Sequence, residues 1–196
     1  MLRSSMPSTN GTTDANLPAQ PTRTVRRSRS IRRLLAAAGG AATLAAGVAA
    51  VGTSVPRHCQ ANGVYADKVC TPGALNPNVT QGNIEQTICV KGYTSTIRPP
   101  VSYTDPLKLE LMRSYGLAGP ASGYELDHLI SLELGGNPTS IENLWPEAYT
   151  PTPGAHEKDR VENYLHDQVC SAKMSLAAAQ RRIATDWRSV WDQLRS

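Results

Sequence analysis

The sequence predicts an α+β fold: a short hairpin followed by a helix, packed by flanking helices. Three observations predict it. Residues 124–134 are apolar enough for a strand, Gly135-Gly136 follows as a permissive turn, and residues 143–145 form a short strand-like partner. Beyond Gly154 the segment AHEKDRVENYLHDQVC carries Val161, Leu165 and Val169 at four-residue spacing, which gives a helix one apolar face. After Lys173, Ser175 is placed to cap a last helix with Leu176, Ile183, Trp187, Val190 and Leu194 along one side.

Taken in chain order, residues 1–33 are rich in Ser, Thr, Pro and Asn and then in Arg, without apolar periodicity, and are expected to be a disordered basic tail. Residues 34–55 follow as an uncharged Ala- and Gly-rich run, expected to be a hydrophobic export signal or a membrane anchor. Arg32-Arg33 ahead of Leu34-Leu35 resembles a twin-arginine export signal, and the mild hydropathy ranks a cleaved signal ahead of a single-pass anchor. Residues 56–196 are expected to form the folded domain. The formal charge of +4 divides unevenly: seven Arg against Asp14 give the first 55 residues +6, while 13 Lys and Arg against 15 Asp and Glu give the rest −2. The domain is therefore not a basic nucleic-acid binder as a whole, and any phosphate-binding face is local.

Cys59, Cys70, Cys89 and Cys170 all follow the apolar run, an even number that suits two disulfides in an oxidising compartment. Of three pairings, the short loop Cys59 to Cys70 is favoured, with Cys89 to Cys170 tying the approach to the hairpin onto the helix after it. Between residues 62 and 100 turn signals alternate with short extended pieces, 87–90 and 93–97 having β-rich content and 83–86 suiting a short helix. A helix is expected from a cap at Thr104 or Asp105, with Pro106 at its first position, to Gly116 as its stop.

The hairpin holds the most informative residues: Asp127-His128, then Gly135-Gly136, then Asn143-Leu144. Their order and spacing resemble the motif of HNH nucleases of the ββα-metal (His-Me finger) superfamily. TPGALNP, TICVKGYTSTIRPPVSYT, NLWPE and KDRVEN look like a group of small bacterial proteins with this core, so the resemblance spans roughly residues 71–187. The chain departs from the motif in two places. Ser131 stands where many members have Pro, and no His stands about ten residues after Asn143. No CxxC pair is present to brace the core with zinc.

The resemblance implies a metal-dependent endonuclease acting on phosphodiester bonds of nucleic acid, DNA ahead of RNA. His128 is then the general base and Asp127 a metal ligand, with Asn143 fixing the loop and orienting His128. The last ligand, on the helix, is left open between His156, the nearest imidazole, and Asp159, which suits a hard cation. Mg²⁺ is the expected ion, with Mn²⁺ and Zn²⁺ as alternates. Lys158 and Arg98 are candidates for neutralising substrate phosphate. Glu125 and Glu162 are read as supporting or surface groups, and His166 as structural. The competing expectation is a non-catalytic exported or cell-envelope binding protein on the same scaffold. Contact with a membrane is expected only through residues 34–55, if that segment is retained.

Overall fold

The computed structural model describes residues 54–56 and 58–196. The expected tail 1–33 and residues 34–53 of the apolar run lie outside the described residues. Among the described residues no helix is long and apolar enough to cross a membrane.

The elements are helices α1 (Tyr93–Ile97) and α2 (Val101–Ser114), strands β1 (Tyr124–His128) and β2 (Leu144–Ala148), and helices α3 (Ala155–Cys170) and α4 (Leu176–Leu194). Short 3-10 turns lie at Gln81–Gln86, Ala121–Gly123, Leu132–Leu134 and Ile141–Asn143. The fold is thus mixed α and β, with one two-stranded antiparallel sheet among the described residues.

The hairpin is offset from its sequence expectation. β1 stops at His128 and Leu132–Leu134 turns as a 3-10 helix, while β2 runs on through Pro146 to Ala148. Proline was expected to end the pairing, and the register explains why it does not. Leu129 N–H donates to Asn143 O and Tyr149 N–H to Gly123 O, so hydrogen-bonded pairs alternate from Leu129 opposite Asn143 outward. Pro146, opposite Leu126, falls on a non-hydrogen-bonded pair where no N–H is needed.

The connection between the strands is held tightly. Gly135 has φ 74°, in the left-handed region, and a Cβ on Gly136 would lie 1.7 Å from the Ile130 carbonyl oxygen. Residues 73–76 lace onto this loop: Gly73 N–H donates to Glu142 O, Asn76 N–H to Gly135 O, and Asn137 N–H to Ala74 O.

Two helices differ from expectation. The β-rich segment 93–97 is α1, because β-branched residues favour a strand only where a neighbouring strand is there to pair. Helix α2 begins at Val101, a turn early, because extended Pro100 presets its entry and leaves Pro106 inside the helix. It ends as expected at Gly116, φ 62°, with Leu117 N–H on Met112 O and Gly116 N–H on Arg113 O, a Schellman closure.

Helix α3 opens at Gly154 and α4 at Ser175, whose hydroxyl accepts from Ala178 N–H at 3.3 Å. Val161, Leu165 and Val169 of α3 pack with Leu176, Ile183, Trp187 and Val190 of α4 in the larger core, which takes in Ile130 and Leu134 from the loop. A smaller core holds Leu129, Trp145, Tyr115 and the Cys59–Cys70 bridge. Consecutive residues Leu129 and Ile130 therefore point into different cores, and the hairpin end is fixed between them. The disulfides pair as expected, Cys59 with Cys70 and Cys89 with Cys170, at Cα separations of 5.9 and 5.6 Å.

Candidate functional site

At the junction of α1, β1 and α3 is a cavity of about 260 Å³. Asp127, His128 and Asp159 line it together, with Arg98 at an exposed position and Glu125, Glu133, Glu162, Ser131 and Asn163 completing much of the wall. Of the residues expected at a site, Asn143 and Lys158 are absent from this lining, and so is His156. It is exposed, and its ring stacks on Tyr149 with centroids 4.7 Å apart.

His128 is held through the loop. Its Nε2 lies 3.1 Å from the carbonyl oxygen of Pro138. A carbonyl only accepts, so Nε2 carries the proton and Nδ1 keeps the lone pair. Burial lowers the His128 pKa below the ordinary imidazole range, against the opposing pull of the Pro138 carbonyl and the Asp127 carboxylate. The ring is thus neutral at pH 7 and has a free acceptor nitrogen.

Asn143, fully buried, builds the loop that holds His128. Its Oδ1 accepts from Ile130 N–H at 2.9 Å, and its Nδ2 donates to Ile130 O at 2.9 Å and Asn137 O at 3.0 Å. The next residue after Asn137 is Pro138, whose carbonyl holds the imidazole. One amide therefore fixes the backbone on both sides of the histidine contact.

Asp127 is anchored from below. Its Oδ2 receives the Trp145 indole N–H at 3.2 Å and lies 2.7 Å from the Lys158 ammonium. Lys158 departs from its expected place beside substrate phosphate. It is fully buried, with Nζ also 2.5 Å from Glu162 Oε1 and 2.9 Å from the His128 carbonyl oxygen. Burial alone would lower its pKa, but the Asp127, Glu162 and Glu147 carboxyls outweigh that and raise it, so the ammonium keeps its charge. With no exposed surface it cannot meet a phosphate.

The carboxyls around this ammonium are crowded. Burial first, and then the charges of Asp127 and Asp159, raise the Glu125 pKa. Burial, and then Asp127, likewise raise that of Asp159. Glu162 is pushed up to about 8 by burial despite Lys158 beside it. Glu147, opposite Glu125 across the hairpin, is 1% exposed and has no hydrogen-bond donor at either carboxyl oxygen. Burial, and then the Asp127 charge, raise its pKa well above the ordinary carboxylate range.

The carboxyl oxygens here are the donor type a hard divalent cation takes, although Asp127, Asp159 and Glu125 do not bring three donor atoms within 4.8 Å of one another. Asp127, Asp159 and Glu125 offer carboxylate oxygens to one cavity, and the Ser131 hydroxyl on its wall is buried without a partner. Oxygen donors select Mg²⁺ or Mn²⁺ over Zn²⁺, and a divalent charge relieves carboxylates that repel one another. Among the described residues the grouping whose donor atoms all lie within 4.8 Å of one another is instead Cys89, Cys170 and His166. Its two sulfurs are joined as a disulfide and lack the thiolate charge that metal binding needs. His166 Nε2 is 2.9 Å from Ile88 O, in keeping with a structural part.

Sequence reasoning missed Asn163 and Glu133 on the cavity wall, and Glu147 beneath it. Asn163 had a usable signal: it stands four residues after Asp159 on α3, the spacing that stacks side chains on one helix face. Glu147 had none, because an acidic residue after Pro146 reads as a strand end rather than a buried group. No family model, no curated protein and no solved structure matches the chain.

Proposed function

We propose that the chain is an exported, metal-dependent endonuclease with an HNH-like (ββα-metal) core, hydrolysing phosphodiester bonds in nucleic acid, DNA ahead of RNA. The observation that carries this reading is that His128, with Nε2 held 3.1 Å from Pro138 O, lines the same cavity as Asp127 and Asp159. The hairpin, loop and helix follow in the order the motif resemblance implies. The two disulfides suit export to an oxidising compartment.

In this reading Asp127 and Asp159 would hold a divalent cation, with Glu125 on the same cavity. When bound, the cation supplies positive charge against the phosphate. His128 takes a proton from water at Nδ1 as the water oxygen bonds to phosphorus and the ester P–O bond breaks, and the departing oxygen is protonated from solvent. Arg98, exposed at the cavity, meets a non-bridging phosphate oxygen. Asn143 takes no part in proton transfer and keeps the imidazole aimed.

The competing reading, a binding protein without chemistry, is favoured by one observation. Five carboxyls line the cavity against Arg98, so without a cation it repels a polyanion. The two separate by supercoiled-plasmid nicking with Mg²⁺ or Mn²⁺ against EDTA, using His128→Ala as the control. Cation-dependent nicking that the variant loses supports the nuclease. Full-length plasmid under every condition refutes it.

A further inference from the structure

We propose that Lys158 is the positioning residue of this site: its buried ammonium fixes Asp127, the His128 backbone and helix α3 in one geometry for a divalent cation. The role of the cation rests on the nuclease reading above, whereas the hold on the Asp-His pair rests on the distances alone.

A lysine ammonium has three N–H donors. Here three acceptors meet it: Asp127 Oδ2 at 2.7 Å, Glu162 Oε1 at 2.5 Å and His128 O at 2.9 Å. Two of them belong to consecutive residues of β1, and the third stands one turn along α3. The His128 carbonyl sets the orientation of the peptide from which the imidazole hangs. Asp127 Oδ2 is filled twice, by Lys158 and by the Trp145 indole, which stops the carboxylate from rotating and leaves Oδ1 for a cation. Asp159, which shares the cavity, directly follows Lys158 in α3. The same helical turn therefore carries both the anchor for one carboxylate and the second carboxylate.

Stability is a weak reason for this arrangement. Taking a lysine and its partners out of water is costly, and apolar replacements of buried ion pairs are often neutral or stabilising. What the ammonium does that an apolar side chain cannot is direct three oxygens at once. Supports that orient ligands in this way are worth about 10- to 100-fold in metal affinity.

Charge and positioning predict opposite signs, which makes the test decisive. Removing a cation beside a cation site tightens metal binding on charge grounds, whereas loss of positioning weakens it. The full chain, with both disulfides intact, is titrated with Mn²⁺, and free Mn²⁺ is read by electron paramagnetic resonance. Lys158→Met is expected to bind Mn²⁺ about 10- to 100-fold more weakly. Lys158→Met/Glu162→Met removes the ammonium together with its partner on α3, serves if the single variant does not fold, and is expected to weaken binding likewise. Val190→Ala, in the α4 core, lowers stability and leaves Mn²⁺ affinity unchanged. In ¹H–¹⁵N spectra the wild-type His128 ring shows the Nε2–H tautomer, and the Lys158 variants show a mixture.

Binding as tight as wild type, or tighter, in a folded Lys158 variant overturns the proposal. So does failure of both variants to fold, which would make the ammonium a requirement of the fold. A wild-type chain that binds no Mn²⁺ refutes the nuclease reading instead. The ring spectra then decide on Lys158, and an unchanged tautomer in the variants overturns its role.

Discussion

Asn143 pairs with Ile130 as a strand residue would, but through its side chain: Oδ1 accepts from the Ile130 N–H and Nδ2 donates to the Ile130 carbonyl, both at 2.9 Å. The loop between Ile130 and Asn143 thus closes on an amide instead of a backbone ladder. Asn143→Asp keeps the acceptor but turns a carboxylate oxygen towards the Ile130 and Asn137 carbonyls, with no donor between them. Each buried polar group left without a partner costs about 1–3 kcal/mol. Urea denaturation is expected to show a loss of about 3 kcal/mol or more. A loss under 1 kcal/mol would mean that the loop does not depend on this amide.

His128→Ala is expected to keep the fold and lower nucleic-acid cleavage about 100- to 10,000-fold, the usual contribution of a general base. The pH profile carries the sharper test. Only the neutral imidazole takes a proton, and burial sets its pKa below the ordinary value of 6.5. At saturating Mg²⁺ the rate should therefore hold as pH falls through 6.5 and drop only below it. An acid limb centred at or above 6.5 contradicts a buried His128 as base.

Much of this arrangement was legible in the sequence because it depends on local spacing. The apolar repeat of Val161, Leu165 and Val169 placed α3, Ser175 placed the start of α4, and Gly116 the end of α2. Asp127, His128 and Asn143 were singled out because their order and spacing about Gly135-Gly136 resemble the HNH motif. The burial of Lys158 was not legible. A lysine between Glu157 and Asp159 on a polar helical stretch reads as solvated, and only the packing of α3 against β1 puts Asp127 over it. Segment 93–97 failed for a similar reason: its β-branched residues carry no information on whether a partner strand is near.

The two candidates for the helix ligand should separate. Asp159 lines the cavity with Asp127, whereas His156 stacks on Tyr149 outside that lining. Asp159→Ala is expected to raise the Mg²⁺ concentration for half-maximal cleavage at least 10-fold, and His156→Ala to leave it within about twofold. A metal titration of both variants reads this directly. The reverse pattern would transfer the ligand role to His156 and require the Tyr149 stack to open.

Glu147 should make the domain less stable as pH rises from acid. Its folded-state pKa lies well above the ordinary carboxyl value of 4.5, so as pH rises past 4.5 the unfolded chain releases a proton that the folded one retains. Stability from this group is therefore fully present in acid and falls until pH passes the folded-state pKa. Glu147→Gln has no proton to release. Relative to wild type its urea midpoint should rise from pH 4 to pH 8, and a difference that is flat with pH would show that Glu147 ionises inside the fold as it does in water.

The two disulfides should differ in what they contribute. Cys59–Cys70 spans 11 residues and Cys89–Cys170 spans 81. In the chain-entropy account of crosslinks these closures are worth about 3 and about 4.5 kcal/mol. The longer one also joins the segment before α1 to the last residue of α3, the helix that carries Lys158 and Asp159. Cys89→Ala/Cys170→Ala should then lower the urea midpoint more than Cys59→Ala/Cys70→Ala, and it alone should weaken Mn²⁺ binding. The comparison is free of zinc chemistry, because each double variant removes both sulfurs of its pair. Equal losses of stability in the two, with Mn²⁺ affinity unchanged in both, would leave the long bridge as a fastening of the chain with no part in holding α3 against the Asp-His strand.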